Sequence, residues 1–306
     1  MAPVVVTGAN KGLGLEIIVR LLRTDASKTI LLGTRSLSNG KAAISRLQER
    51  GLDTTNVRIL ELDVSKMDSV QAAAETVKKG YGGQLDCVYN NAGVVSTTEY
   101  EEAKQLMQVN YYGVKRMMEV FDPLIVRGGH DVIVSSGMGA WATYHSPLPL
   151  QNLLTEPSKT TPAQLDDLAE RYLESLNTHN PSAPELQKEF PISEGMIGPY
   201  AVSKAFLNAY VRNIAPSRLE KQGIILSVAC PGFCATDLNS NSGPRKASTG
   251  ARSIVLASQI SSEQAGGFFR DGKPANFIER TATFEEMAED ARTVEQGLRE
   301  AGEIMD

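Results

Sequence analysis

The sequence predicts an α/β chain: a doubly wound, open parallel sheet with helices on both faces. Two observations carry that expectation. Short apolar runs alternate regularly with longer runs of helical period along most of the chain, and repeated strand–helix units build parallel sheets. The first apolar run, Val4-Val5-Val6, passes straight into Thr7-Gly8-Ala9-Asn10-Lys11-Gly12-Leu13-Gly14 and then into an amphipathic run from Leu15 to Leu22. That order is strand, glycine turn, helix. The length of 306 residues fits one large domain or two small ones; a chain this size can bury a sizeable core, and we read a single domain over 1–306.

Taken in order, the first strand is expected at about 3–7 with its helix at 12–23, and the second strand at 29–33. The next helix runs over 38–50, where the Ser38 hydroxyl can cap it. The third strand covers 57–62, with a helix near 66–79. The fourth covers 85–89 and is followed by Asn90-Asn91-Ala92-Gly93 and a long helix near 101–127. The fifth strand is placed at 132–135, a later helix at 199–221 and the sixth strand at 224–229. The tail over 281–306 is acidic and helical in pattern, and no function is read from it. In such a sheet ligands bind outside the carboxyl ends of the strands, where the unusual residues collect.

Bulk properties exclude several classes. A formal net charge of −5 argues against a nucleic-acid binder that works by bulk electrostatics. The cysteines Cys87, Cys230 and Cys234 are odd in number and form no C-x-x-C pair, so no disulfide framework is expected and a reducing, cytoplasmic setting fits. His130, His145 and His179 share no ligand spacing, and no metal site is expected. No apolar run approaches ~18 residues, so no membrane span is expected. No signal peptide is expected, since the N-terminus runs directly into the first strand.

The glycine turn reads as a phosphate site. Glycines admit φ > 0 and let a phosphate approach with no Cβ in the way, and the helix behind them offers unpaired N–H groups. The spacing is G-x-x-x-G-x-G, and the bland alternative is an ordinary strand-to-helix turn. Strand two ends Gly33-Thr34-Arg35. A chain selecting NAD would place a carboxylate near position 34 for the ribose 2′-hydroxyl. Here Arg35, with Lys11 in the turn, offers cations to a 2′-phosphate. Either alone could be a solvated surface charge; together, and without the acid, they favour NADP(H). Asp63 could accept from an adenine amino group or cap the next helix. Of Ser135 and Ser136, alternation along a strand lets at most one face a site.

Tyr200 and Lys204 stand four apart on a helix and share a face. A phenol is a poor acid–base catalyst near neutrality unless a cation steadies its anion, which Lys204 can do. The pattern Tyr-x-x-x-Lys also occurs at Tyr100/Lys104 and Tyr111/Lys115. Those pairs lie on the helix before strand five and read as amphipathic helix faces.

Over about residues 3–240 these features resemble the short-chain dehydrogenase/reductase family. The resemblance rests on Thr7–Gly14, Asn90-Asn91-Ala92-Gly93, Asn110 in Val109-Asn110-Tyr111-Tyr112-Gly113, Ser136, Tyr200/Lys204 and Pro231-Gly232-Phe233-Cys234-Ala235-Thr236-Asp237, in the family's order. It implies a Rossmann-type sheet of about seven strands and hydride transfer with NAD(P), from the pro-S face of the nicotinamide. It gives Ser136 the substrate oxygen, Tyr200 the proton, Lys204 the ribose hydroxyls and the tuning of Tyr200, and Asn110 a structural and proton-relay role. The same resemblance gives Thr236 the nicotinamide carboxamide. The cofactor set then comprises Gly8, Asn10, Lys11, Gly12, Leu13, Gly14, Arg35, Asp63, Val64, Asn91, Ala92, Gly93, Tyr200, Lys204, Pro231, Gly232, Phe233 and Thr236.

One departure matters. Tyr200 follows Ser136 by 64 residues, where the family usually has about a dozen. The insert, about 138–198, holds the only tryptophan, Trp141, and one helical stretch beginning at the Thr161 cap and Pro162. Such an insert, with Asn10-Lys11-Gly12 and Thr34-Arg35, resembles NADPH-dependent carbonyl reductases and their plant menthone- and salutaridine-reductase relatives. It is read as a substrate lid or as a segment that covers the adjacent helices. Ser136, Trp141, Tyr200 and Phe233 form the expected substrate set, with Phe268-Phe269 as further apolar walls. The expected function is NADPH-dependent reduction of a small-molecule ketone, aldehyde or quinone. A pathway-specific natural-product reductase or alcohol dehydrogenase is the alternative, and a catalytically silent NADP-binding regulator is the rival from another class. The resemblance and the position of the insert imply a monomer.

Overall fold

The computed structural model describes residues 2–190, 198–280 and 282–303. Eight strands form one sheet: β1 (Val4–Val6), β2 (Ile30–Thr34), β3 (Val57–Glu61), β4 (Leu85–Asn90), β5 (Ile125–Val134), β6 (Ile225–Cys230), β7 (Phe268–Arg270) and β8 (Lys273–Ala275). Their order is β3-β2-β1-β4-β5-β6-β7-β8. The first seven are parallel, and β8 adds an antiparallel edge through the turn Asp271-Gly272. Both turn residues have positive φ, 55° and 77°, which matches the right-handed twist of the paired strands. The chain order of the strands reverses between β1 and β4. A crevice opens there at the strand carboxyl ends, and it positions the site.

Alternation along β1 divides the core. Val5 joins one buried cluster and Val4 and Val6 the other. On one face lie α1 (Gly12–Thr24), α2 (Leu37–Glu49) and α11 (Ala247–Leu256); on the other lie α3 (Met67–Tyr81), α4 (Tyr100–Asn110), α5 (Tyr112–Phe121), α8 (Pro162–Leu176) and α10 (Gly198–Gln222). The remaining helices are α6 (Gly137–His145), α7 (Leu148–Thr155), α9 (Ala183–Leu186) and α12 (Phe284–Glu300).

Several expectations are corrected. The helix expected near 101–127 is two helices that break at Tyr111, and β5 begins at Ile125 rather than 132. Pro123, in the turn after α5, cannot supply the N–H a continuing helix needs. The cap of α2 is Ser36, whose extended backbone lets its Oγ accept the Asn39 N–H at 3.3 Å; Ser38 lies inside the helix. Among its described residues the insert holds four helices, α6 to α9, where one was expected. That one, α8, does begin with a reciprocal Thr161–Gln164 cap and Pro162. Positions 191–197 of the insert, and 281 and 304–306 of the tail, lie outside the described residues. Phe268 and Phe269 are not walls of a site. They point to opposite faces of β7 and are buried in the two core clusters. Among the described residues no helix is long and apolar enough to cross a membrane.

Candidate active site

The site is built at the junction of β1 and β4. The Thr7 hydroxyl accepts the N–H groups of Asn91 and Ala92 at 3.0 and 2.9 Å, and Asn91 Nδ2 donates to the Thr7 carbonyl at 2.9 Å. These bonds draw the glycine turn against Asn91-Ala92-Gly93. A Cβ on Gly14 would stand 2.5 Å from the Gly8 carbonyl oxygen, and one on Gly8 2.9 Å from the Ala92 Cα. Only glycine fits either place. Lys11, the N-cap of α1, supplies no side-chain acceptor, so the first amides of the helix are left for a ligand.

A cavity of about 410 Å³ follows the strand ends. From the β2–β3 side it runs along Thr34, Arg35, Asp63 and Val64, past Gly8, Asn10, Lys11, Gly12, Leu13 and Gly14 and past Asn91, Ala92 and Gly93, to Tyr200, Lys204, Pro231 and Thr236. Its shape and chemistry suit an extended dinucleotide. The Thr34 hydroxyl is buried in this lining without a partner, and the exposed Arg35 stands beside it. Asp63 Oδ1 is held by the N–H and hydroxyl of Ser65 at 3.0 and 2.6 Å. The cap of α3 is Lys66, so Asp63 does not cap that helix. Lys11 does not stand free beside Arg35: its Nζ is 3.3 Å from Asp237 on the loop after β6.

The second half of the site comes from β5, α4 and α10. Ser135 turns inward and donates to Asn208 Oδ1 at 2.6 Å. Alternation then aims Ser136 the other way, where its hydroxyl accepts the Met138 N–H at 3.1 Å and faces the Tyr200 phenol. Burial pushes that phenol up to about 12, with Ser136 acting in the opposite sense, so Tyr200 holds its proton near neutrality. Lys204 is buried. Its Nζ donates to the Val134 carbonyl at 2.8 Å and lies 5.7 Å from the centre of the Tyr200 ring. Burial draws its pKa down to about 8.

Asn110 closes the arrangement from below. Its Oδ1 accepts the Val94 N–H at 2.9 Å, and its Nδ2 donates to the Val94 carbonyl at 2.9 Å and to Ser203 Oγ at 3.3 Å. Ser203 in turn donates to the Tyr200 carbonyl at 2.7 Å. One amide thus ties the β4 loop to the helix that carries Tyr200. Sequence reading missed Ser203 and Asn208. The four-residue spacing of Tyr200, Lys204 and Asn208 was the available signal, since it aligns all three on one face of α10.

Some expected residues do not line the cavity themselves, and of these Ser136 and Asn110 act through the Tyr200 side of the site. Gly232, Phe233, Ser136, Asn110 and Trp141 are not among the residues lining the cavity. Gly232, at φ 77°, packs on Arg245; the Phe233 ring meets Phe284 with centroids 6.3 Å apart; and the Trp141 ring lies tilted against His145 with centroids 4.9 Å apart. Among the described residues no cluster of three or more potential metal ligands occurs.

A strand–glycine turn–helix at a switch point, with Ser136, Tyr200, Lys204 and Asn110 gathered beside it, is the architecture of a nucleotide-dependent oxidoreductase. The short chain dehydrogenase family model matches residues 2–147. Short-chain dehydrogenase/reductase 1 of Saponaria officinalis is 30% identical, over 87% of this chain and 92% of its own. Carbonyl reductase (NADPH) 1 of Sus scrofa is 29% identical, over 85% of this chain and 88% of its own. The structure of salutaridine reductase from Papaver somniferum superposes with a TM-score of 0.74 at 26% identity, covering 88% of this chain and 99% of that one. The chain belongs to the short-chain dehydrogenase/reductase family. It is an oxidoreductase of the carbonyl–alcohol couple, in a family that binds a nicotinamide cofactor.

Proposed function

We propose that this chain reduces a ketone, aldehyde or quinone to the alcohol with NADPH. One observation carries the reading: Ser136 and Tyr200 face each other beside the cavity, while Lys204 and Asn110 fix the helix that bears the phenol. When bound, the nicotinamide supplies a hydride to the carbonyl carbon. Ser136 and Tyr200 donate hydrogen bonds to the carbonyl oxygen and stabilise the negative charge that develops there. Tyr200 then gives up its proton, and Lys204 steadies the phenolate left behind. In the same reading Lys204 also holds the cofactor ribose, and Thr236 the carboxamide.

The choice of NADPH is supported by Arg35 at the rim, by Thr34 where a carboxylate would repel a 2′-phosphate, and by the NADPH in the name of the Sus scrofa relative. The insert is read as a segment that covers α4, α5 and α10 and borders the substrate approach, and the protein as a monomer. The test is cofactor oxidation, followed optically, with a panel of quinones, ketones and aldehydes. Turnover with NADPH and little with NADH supports the reading. Equal use of both cofactors defeats its NADPH half, and no turnover with any carbonyl defeats the rest.

A further inference from the structure

The glycine turn is held from outside by an arginine of α2. Arg46 Nη2 donates to the Asn10 carbonyl at 3.0 Å, and its Nε to the Ala42 carbonyl at 3.2 Å. Asn10 lines the cavity, so this guanidinium lies one hydrogen bond behind the cavity wall. Arg50, one turn further along, is neutralised by Glu16 through bonds of 2.6 and 3.0 Å. Among the described residues Arg46 has carbonyl partners only, and its charge stays uncompensated. Lys11, the cation inside the turn, is drawn towards Asp237 at 3.3 Å.

A phosphate monoester carries a charge of ~−1.5 to −2 and three acceptor oxygens, more than one guanidinium matches. We infer that Arg46 is the second cation of the 2′-phosphate site, beside Arg35, and therefore a determinant of cofactor specificity. This rests on the NADPH reading above. Carbonyls occupy only part of the guanidinium fork, and its remaining N–H groups are free for phosphate oxygens. The bond to Asn10, a residue of the cavity lining that also includes Arg35, orients the fork in advance.

The test uses the isolated recognition group. The full-length protein, with Arg46→Ala, Arg46→Lys and Arg35→Ala, is titrated calorimetrically with adenosine 2′,5′-bisphosphate and with 5′-AMP. Arg46→Ala should weaken the bisphosphate ~10-fold, equivalent to ~1.4 kcal/mol, and 5′-AMP less than ~2-fold. Arg46→Lys should recover most of the difference, because the charge returns. An equal loss for both ligands would make Arg46 a prop for the Asn10 turn and would overturn the inference. So would an unchanged ratio while Arg35→Ala still lowers it. A parent protein with no preference for the bisphosphate would instead sink the NADPH reading, and this inference with it. If Arg46→Ala does not fold, Arg46→Gln keeps a donor for the Asn10 carbonyl and yields the same ratio.

Discussion

The phenol of Tyr111 donates to the carboxylate of Asp166 at 3.0 Å, across the junction between the inserted helix α8 and the break between α4 and α5. It is one rung of a ladder. Tyr112 donates to Glu170 at 2.6 Å and Tyr100 to Glu174 at 3.1 Å. Asp166, Glu170 and Glu174 recur every four residues and so share one face of α8. Lys115 pairs with the same Asp166. Leu165, Leu168, Ala169 and Tyr172 of α8 complete the seal by joining the core cluster that contains Phe206 and Tyr210 of α10.

This ladder bears on assembly. Many family members pair through the two long helical segments that α8 covers here. Sedimentation equilibrium at micromolar concentration should give a mass near 33.1 kDa. A mass about twice or four times that would mean the helix faces are free, and would reject the monomer. Tyr111→Phe should cost ~0.5–1.5 kcal/mol of stability, the net worth of one hydrogen bond, and leave turnover near the parental rate. Tyr111 has the same local pattern as Tyr200 but is committed to Asp166.

Replacing Tyr200 by Phe removes the proposed proton donor and little else. Binding of NADPH, followed by its fluorescence, should stay near the parental value, while turnover falls ~10²-fold or more. Carbonyl reduction at close to the parental rate would show that another group supplies the proton.

The lowered pKa of Lys204, about 8, sets a pH window. Below it the ammonium is present and can stabilise the Tyr200 phenolate. Above it the charge is lost, while Tyr200 itself stays protonated to about 12. The kcat/KM for carbonyl reduction should therefore decline on the alkaline side from about pH 8, and Tyr200 should not be the group that titrates. A profile flat from about pH 7 to 10 would exclude Lys204 from this role.

A buried acid pair makes stability pH-dependent. Asp131 of β5 and Asp122, just after α5, are both fully buried and coupled to each other. They share one cation, Arg218, whose Nε is 3.0 Å from Asp122, and Asn90 Nδ2 donates to Asp131 at 2.8 Å. Burial is the larger cause that raises both, Asp122 to about 7. The folded chain thus binds more protons than the unfolded chain between the ordinary carboxylate range and about 7. Stability must fall as pH rises through that window. Asp131→Asn keeps the shape and removes one titration. Urea melts at about pH 5 and 7 should show a smaller loss in the variant, by ~1 kcal/mol or more, one pKa unit being ~1.36 kcal/mol. Parallel curves would refute the raised pKa of Asp131.

Much was legible before folding was considered, because the informative signals are local. Val4-Val5-Val6 before Gly8, Gly12 and Gly14 specifies strand, turn and helix within one short segment, and the steric need for Gly14 is met by backbone atoms a few residues away. The Tyr200–Lys204 spacing is likewise a property of one helix. The edge hairpin was missed although Asp271-Gly272 is a strong turn signal, because the strands it joins are only three residues each. The helix break at Tyr111 was missed because no proline stands there to mark it. Asn110 spends its amide on Val94, sixteen residues earlier, and nothing near Asn110 announces that partner.

The sequence by itself determined the alternating sheet, the glycine turn and Tyr200 and Lys204 as candidates, since each follows from backbone periodicity or from contacts within a turn or two; the choice of Ser136 over Ser135 came from the family resemblance. Only the tertiary structure decided that Tyr100 and Tyr111 are committed to the carboxylates of α8, that Lys11 leans to Asp237 while Arg46 reaches Asn10, and that α8 lies over α4 and α5. Each of those outcomes pairs groups far apart in the chain. Which charge meets which carbonyl or carboxylate is settled by the packing of whole elements, and local sequence carries no record of that distance.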